Sequence, residues 1–131
     1  MAQVVLQSIE TIDRPWYCRS GAPLPPDRLK AIVETTVSEV FAVDIARLRA
    51  ESRGQAHVAQ ARQVAMYLMH CAFGLSFTDI GIIFSRDRTT VSHACKIIED
   101  RRDERSFDYI LNNLEEIVRY RARISTRVAV A

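Results

Sequence analysis

The spacing of apolar positions predicts a chain of helices from Asp27 onward. Intervals of three and four residues form one stripe along a first helix of about four turns. That stripe consists of Leu29, Ile32, Val33, Thr36, Val37, Val40 and Phe41. Asp44 is placed to cap a short second helix that turns Ile45 and Leu48 inward. The polar stretch ESRGQAH at 51–57 predicts a loop.

A third helix is predicted from about Val58 to Phe73, with Gly74 placed to end it. Its inward positions follow the same helical spacing. They are Ala61, Val64, Ala65, Leu68, Cys71 and Ala72. We expect this helix to be the central and most buried one.

The next segment predicts two short helices joined by a tight turn. Ser76 and Asp79 have the spacing of a capping box. The helix that they open has Phe77, Ile80 and Phe84 as its apolar positions. Gly81 lies inside this helix at a cost of about 1 kcal/mol relative to alanine, so we expect close packing there. After the connection at Ser85, Asp87 is placed to cap another helix.

The apolar positions of this latter helix are Val91, Ala94, Cys95 and Ile98. Two capped helices joined in this way are typical of a helix-turn-helix. The opposite face carries short hydroxyls, long cations and one imidazole near the amino end, where recognition helices touch DNA. Its members are Arg86, Arg88, Thr89, Thr90, Ser92, His93 and Lys96. An ordinary solvated face is richer in Glu and Lys, so the pattern favours DNA contact.

The carboxyl-terminal part of the chain is strongly charged. The run EDRRDERSFD at 99–108 predicts a solvent-exposed helix end with local ion pairs. A last amphipathic helix follows, and its predicted apolar positions are Phe107, Ile110, Leu111, Leu114, Ile117 and Val118. The basic stretch at 119–127 leaves two interpretations open, a frayed solvated end or a supplementary phosphate contact.

These patterns divide the chain into three parts: an N-terminal arm and Pro-rich linker at 1–26, a helix-turn-helix domain at 27–121, and a basic tail at 122–131. The arm carries Trp16 and Tyr17. They are expected to pack on the domain surface, with partner binding as the second interpretation.

Composition narrows the function classes. The 131 residues suffice for one domain but not for a complete ATPase, and no G-x-x-x-x-G-K-[ST] loop occurs, so no ATP binding is expected. The net charge is only +2, but 16 of the 18 bases are arginine, which suits phosphate and guanine recognition. Positive charge gathers at 44–98, which sum to +3, and at 119–131, which sum to +4.

Other classes are disfavoured. Three cysteines without CxxC spacing predict reduced thiols in a cytoplasmic protein, and no secretion signal or membrane-spanning stretch is present. No spacing supports a nucleophilic enzyme site, and no cofactor is predicted. A zinc site from His70, Cys71, His93 and Cys95 is disfavoured, because adjacent helical residues point about 100° apart and both cysteines lie on apolar faces.

Three motifs carry a family resemblance. SRDRTTVSHACKIIE at 85–99, ARQVAMYL at 61–68 and LSFTDIGIIF at 75–84 resemble the C-terminal DNA-binding domain of the bacterial replication initiator DnaA. The likeness covers about two-thirds of the chain. It implies an all-α, Trp-repressor-like helix-turn-helix bundle of about six helices, here without the ATPase domain. Such a domain binds DnaA-box duplex through the major groove, and a basic loop reaches the minor groove.

The resemblance also implies which residues touch DNA. With the cations beside them, the candidates are Arg53, Arg62, Gln63, Arg86, Asp87, Arg88, Thr89, Thr90, His93 and Lys96. Arg62 would attract phosphate, while Thr89, Thr90 and His93 would contact base edges and methyl groups. Asp87 would both cap its helix and lie near a cytosine amino group.

Departures from the family pattern change these expectations. Arg88 stands where the family normally has histidine, so base preference could shift. Gln60 and Ala61 replace the usual arginine and proline, and the preceding loop keeps Arg53 but lacks the dense basic cluster. Minor-groove anchoring is therefore expected to be weaker.

The leading hypothesis is a cytoplasmic, nucleoid-associated protein that binds specific double-stranded DNA and regulates replication initiation or transcription. The alternative is a protein-interaction module that contacts the replication initiator or its regulators, with weak or no DNA binding. Neither hypothesis involves a membrane or catalysis.

Overall fold

A computed structural model describes residues 24–50 and 55–130, with side chains through Ser125. The predictions for residues 1–23 of the arm, for Arg53 and for the side chain of Arg127 lie outside these residues. Within the described ranges the chain forms six α-helices. They are α1 (Pro26–Phe41), α2 (Ile45–Arg49), α3 (Ala56–Phe73), α4 (Phe77–Phe84), α5 (Arg88–Arg101) and α6 (Arg105–Val130). The predicted all-α helix-turn-helix bundle of about six helices is confirmed.

Helix α1 begins one residue before the predicted domain start. Pro26 occupies its first turn, where the missing N–H and the preset φ of proline are compatible with a helix. The expected stripe is correct for Leu29, Val33 and Val37, but Val40 is 48% exposed. Glu34 lies on the buried side instead, where its carboxylate accepts a hydrogen bond of 2.7 Å from Arg49.

Helix α3 is central, as predicted, because it packs against all five other helices. It starts at Ala56, two residues earlier than expected. Its end at Gly74 is confirmed: the glycine has φ +72°, and its N–H bonds to His70 O at 3.0 Å. The left-handed φ is the reason that glycine suits this position.

Helix α6 passes through residues 121 and 122 without interruption, so the predicted tail boundary falls inside a helix. Its buried stripe faces α1 and α3. The stripe consists of Phe107, Leu111, Leu114, Val118 and Ala122. Ile110 and Ile117, two of the apolar positions that predicted this helix, lie outside the buried stripe and remain 37% and 36% exposed. The same helix therefore has a second, partly exposed apolar face.

Most residues of the run at 99–108 are exposed, as predicted, but Arg102 is an exception. The side chain of Arg102 is only 17% exposed and bonds to Asp108 at 2.6 Å and Glu115 at 2.7 Å. Alternating charge along the sequence did not reveal this, because Glu115 lies 13 positions away. No helix in the described part of the chain is both long and apolar enough to cross a membrane.

Candidate DNA-binding surface

The turn between α4 and α5 is built from backbone contacts. Ser76 Oγ accepts a hydrogen bond from Asp79 N at 3.1 Å, so the predicted N-cap of α4 is present. Ser85 ends α4 in the left-handed region at φ 56°, and the N–H of Arg86 bonds back to Gly81 O at 2.8 Å. A Cβ built at Gly81 would lie 2.6 Å from Arg86 O. The predicted close packing at this glycine is therefore confirmed, and it sets the angle at which α5 leaves the turn.

Helix α5 has two chemically different faces. Its buried face packs mainly against α3 and α4 and consists of Val91, Ala94, Cys95 and Ile98, as predicted. The opposite face begins at the amino end of the helix and points to solvent. Its exposed side chains are Asp87, Arg88, Thr89, Thr90, His93 and Lys96. The fold therefore presents six of the ten candidate residues together on one continuous surface.

Asp87 occupies the N-cap position of α5 but makes no side-chain cap hydrogen bond, and the same is true of Asp44 before α2. The predicted positions are correct, whereas the predicted hydrogen bonds are absent from the described structure. The Asp87 carboxylate is exposed at the start of the candidate surface. It is accordingly available to accept a hydrogen bond from a base amino group.

Two cations of this surface already have neighbours. The Arg88 guanidinium carbon lies 5.9 Å from the centre of the Phe77 ring. Lys96 Nζ lies 3.6 Å from Asp100 Oδ2, and both side chains are largely exposed. Exposed contacts of these kinds contribute little to stability, so a phosphate could replace the ion pair at small cost.

Arg86 links the turn to another part of the fold. It is half-buried, and its Nη2 donates to Ala50 O at 2.9 Å. Ala50 follows α2 directly and precedes the stretch that contains Arg53. Arg86 therefore holds the end of α2 next to the helix-turn-helix turn. Gln63 lies half-buried on α3.

Arg62 is placed differently from the sequence-based prediction. It is only 8% exposed, its Nε donates to Leu48 O at 2.9 Å, and its Nη2 donates to Arg47 O at 3.0 Å. Burial lowers the pKa of its guanidinium, and the nearby charge of Arg86 lowers it further. These two contacts were not predicted, and they secure α2 against α3. The predicted attraction of phosphate by Arg62 stays a prediction.

The residues considered for zinc do not form a metal centre. Among the described residues, no group of three or more His, Cys, Asp and Glu side chains could hold a metal ion. His70 Nδ1 hydrogen-bonds to Leu75 O at 2.9 Å. Burial raises the pKa of Cys95 to about 12 and also raises that of Cys71. Zinc binds the thiolate, so this environment opposes the form that a zinc ligand requires.

Sequence reasoning missed a network at the far end of α5. Tyr67 Oη donates to Glu99 at 2.5 Å and accepts from Arg102 Nη1 at 2.9 Å. Arg102 also bonds to Asn112 and to Glu115. Burial lowers the pKa of the Arg102 guanidinium, but its hydrogen bonds outweigh that effect and raise the pKa above its ordinary value. Helical spacing could not reveal this network, since Tyr67 is 35 residues from Arg102.

Comparison with known proteins agrees with this geometry. Residues 30–98 match the model of the family described as the bacterial dnaA protein helix-turn-helix, which is just over half of the chain. The chain belongs to this family. Its match ends at Ile98 and thus includes the turn, the exposed face of α5 and the buried residues beneath it. Membership in the DnaA family identifies the α4–α5 unit as a DNA-binding helix-turn-helix and not as a catalytic domain.

Individual DnaA proteins show the extent of the likeness. Chromosomal replication initiator protein DnaA 2 of Chlamydia trachomatis is 38% identical over 91 residues, which are 67% of this chain and 19% of that protein. Chromosomal replication initiator protein DnaA of Lachnoclostridium phytofermentans is 33% identical over 97 residues, which are 70% of this chain and 21% of that protein. The chain thus spans about a fifth of the length of the curated relatives that it matches.

Proposed function

We propose that this domain binds specific double-stranded DNA by inserting the amino-terminal half of α5 into the major groove, at sequences resembling a DnaA box. The observation that supports this most strongly is the exposed face from Asp87 to Lys96. It stands on a helix whose other face is buried against α3 and α4. A rigid support of this kind holds base-contacting side chains in a defined register.

The chemistry of that face suits the edges of base pairs. Thr89 and Thr90 offer hydroxyls that donate or accept and methyl groups that can contact the thymine methyl. Arg88 offers the planar, bidentate donor that recognises guanine. Because the family normally has histidine at this position, we propose that the preferred sequence differs from the usual DnaA box where Arg88 reaches.

Phosphate contacts have a smaller role in this proposal than the arginine content suggests. Lys96 is exposed and lies one to two turns beyond the threonines on the same face, so it can reach the backbone beside the groove. Arg62 and Arg86 act by positioning, since each donates to backbone carbonyls at the end of α2. Binding should therefore depend more on base contacts and less on charge than a dense basic loop would allow.

Selection of duplexes from a random pool by the purified chain tests the proposal directly. We expect one enriched sequence related to the DnaA box, with its largest deviation at the base pairs nearest Arg88. A parallel selection with Arg88→His should move the preference toward the usual DnaA box. No enrichment at low salt would overturn the proposal.

The biological role that we propose is regulation of replication initiation or transcription by occupancy of such sites, in a nucleoid-associated protein. The competing role is interaction with the replication initiator or its regulators. Recovery of those proteins after nuclease treatment, and with Thr89 and Arg86 both replaced by alanine, would support the competing role. Recovery that is lost under both conditions would support DNA occupancy.

A further inference from the structure

Helix α6 presents a second apolar face with the spacing of a coiled coil. Ile110, Ile117 and Ile124 recur every seven residues, with Asn113 and Tyr120 between them. The alternation of three and four residues is that of a coiled-coil seam, with β-branched side chains at each first position. All three isoleucines stay between 36% and 41% exposed, and Tyr120 is 57% exposed. We call these five residues the α6 seam.

The α6 seam is separate from the face that α6 uses inside the domain. At about 100° per residue, the seam and the buried stripe from Phe107 to Ala122 are centred about a third of a turn apart. The buried stripe packs against α1 and α3. None of the ten candidate DNA-binding residues lies on α6. The domain core and the DNA-binding surface therefore leave this face to another role.

We propose that the α6 seam is the interface of a homodimer in which two copies of α6 pack antiparallel. In the matching register, Ile117 of each copy faces Tyr120 of the other, and Asn113 faces Ile124. Four of the five seam positions then lie opposite a seam residue of the second copy, and Ile110 lies at the edge of the interface. The Asn113 amide opposite Ile124 costs stability in this register.

Charges along α6 fit the antiparallel arrangement. Glu116 and Arg123 flank the seam on the same side, seven residues apart. In the register above, Glu116 of each copy approaches Arg123 of the other, so the symmetric dimer contains this pair twice. A parallel pair would instead bring Glu116 near Arg121, so exchanging the charges of Glu116 and Arg123 distinguishes the two arrangements.

The interface is small, since residues 110–124 span about 21 Å of helix. Interfaces of this size are typical of weak, reversible association. A dimer would carry two α5 helices and would bind paired DNA sites more tightly than single ones, a consequence that rests on the proposed function. The association itself involves no DNA, so it is measured without DNA and can fail independently.

Sedimentation equilibrium of the full chain over a concentration series tests the dimer. We expect the average mass to rise from one chain to two as concentration increases. Ile117→Ser should weaken self-association by about tenfold or more, as expected for a central interface residue. The control is Ile82→Ser, which changes an isoleucine that is 73% exposed on α4 and should leave self-association unchanged. A wild-type chain that stays monomeric throughout, or equal effects of the two variants, would overturn the proposal.

A charge exchange tests the register. Glu116→Arg and Arg123→Glu should each reduce self-association, because each brings like charges together twice. An equimolar mixture of the two variants should recover a heterodimer, because every close pair is again of opposite sign. Circular dichroism verifies that each variant is folded. A mixture of folded variants that remains monomeric would refute the antiparallel register.

Residues 1–23 of the N-terminal arm are the other candidate occupant of the seam, and the same variants distinguish it. Trp16 is the single tryptophan of the chain. A monomeric wild-type chain whose tryptophan emission shifts on Ile117→Ser would place the arm on α6 and would overturn the dimer.

Discussion

The two ends of α5 both carry arginine, but the arginine is exposed at one end and enclosed at the other. At the amino end, Arg88, Thr89 and His93 are exposed. At the carboxyl end, Arg102 is largely enclosed and bonds to Tyr67 and Glu115. An arginine at one end is available to a ligand, whereas an arginine at the other end holds α3, α5 and α6 together.

This difference shows that charge counted along a sequence overstates the charge available to DNA. Arg49 donates to Glu34, Arg119 to Cys71 O and Glu115, and Arg121 to Thr36 and Glu39. These arginines use their donors within the fold. Specific DNA binding in our proposal consequently depends on a few side chains of α5 and not on the arginine total.

Replacing both threonines at the amino end should have the largest effect. Thr89→Ala with Thr90→Ala should weaken binding to the selected duplex by about 2–6 kcal/mol, at about 1–3 kcal/mol for each good base contact. The free energy of unfolding should stay within about 0.5 kcal/mol, because both side chains are exposed. Anisotropy titration and urea unfolding measure the two quantities. Thr35→Ala, an exposed threonine on α1, is the matched control, and an unchanged affinity of the double variant would contradict the proposed surface.

The carboxyl end should respond in the opposite way. Arg102→Met leaves Asp108 without its cation, Glu115 with Arg119 alone and the Tyr67 hydroxyl without its donor, so the free energy of unfolding should fall by about 2–4 kcal/mol. DNA affinity of the folded protein should not change. Urea unfolding and anisotropy titration give the two values. Arg105→Met, at an exposed position nearby, should be close to neutral in both. A loss of DNA affinity without a loss of stability would mean that Arg102 contacts DNA.

The turn between α4 and α5 affects both stability and DNA binding, because it sets the position of α5. Gly81→Ala should destabilise the domain by about 1–3 kcal/mol, since the new Cβ would lie 2.6 Å from the backbone oxygen of Arg86. It should also weaken DNA binding by displacing the start of α5. The control is Thr78→Ala, on the exposed side of α4, which raises helix propensity as Gly81→Ala does but introduces no clash. We expect this variant to be neutral or slightly stabilising. A stabilised Gly81→Ala protein would contradict the close packing.

The smallest expected effect concerns salt. Lys96→Met should reduce the slope of log affinity against log salt by about 1, which corresponds to one lost phosphate contact. Arg101→Met, five residues further along and in an ion pair with Glu104, should leave the slope unchanged. Anisotropy titrations over a salt series compare the two variants. Equal slopes for the two variants would mean that Lys96 does not make the proposed phosphate contact.

Much of the fold followed from local spacing. The end of α3 at Gly74, the capping residue Ser76 and the buried face of α5 were all predicted, because each depends on residues within one or two helical turns. The tight contact at Gly81 was also predictable, since a glycine inside a helix indicates that something lies close. The exposed face of α5 followed from the same periodicity.

The structure differed from expectation where helical spacing could not indicate which side chains the neighbouring helices bury. Ile117 fits the helical spacing of α6, yet α1 and α3 cover the neighbouring stripe and leave Ile117 partly exposed. Periodicity identifies which residues share a face but not how wide a face the neighbouring helices will cover. The hydrogen bonds of Arg62 were likewise not predictable, because its carbonyl partners lie 14 and 15 residues earlier in the chain.

The sequence by itself determined the helices, the helix-turn-helix and the membership of Thr89, Thr90 and His93 in one exposed face. These features depend on residues close together in the chain. Only the tertiary structure decided which arginines remain available, because the carbonyls and carboxylates that bind the others come from distant segments. It also decided that α6 keeps a second apolar face, since the contacts with α1 and α3 bury the stripe from Phe107 to Ala122 and leave Ile110, Ile117 and Ile124 partly exposed.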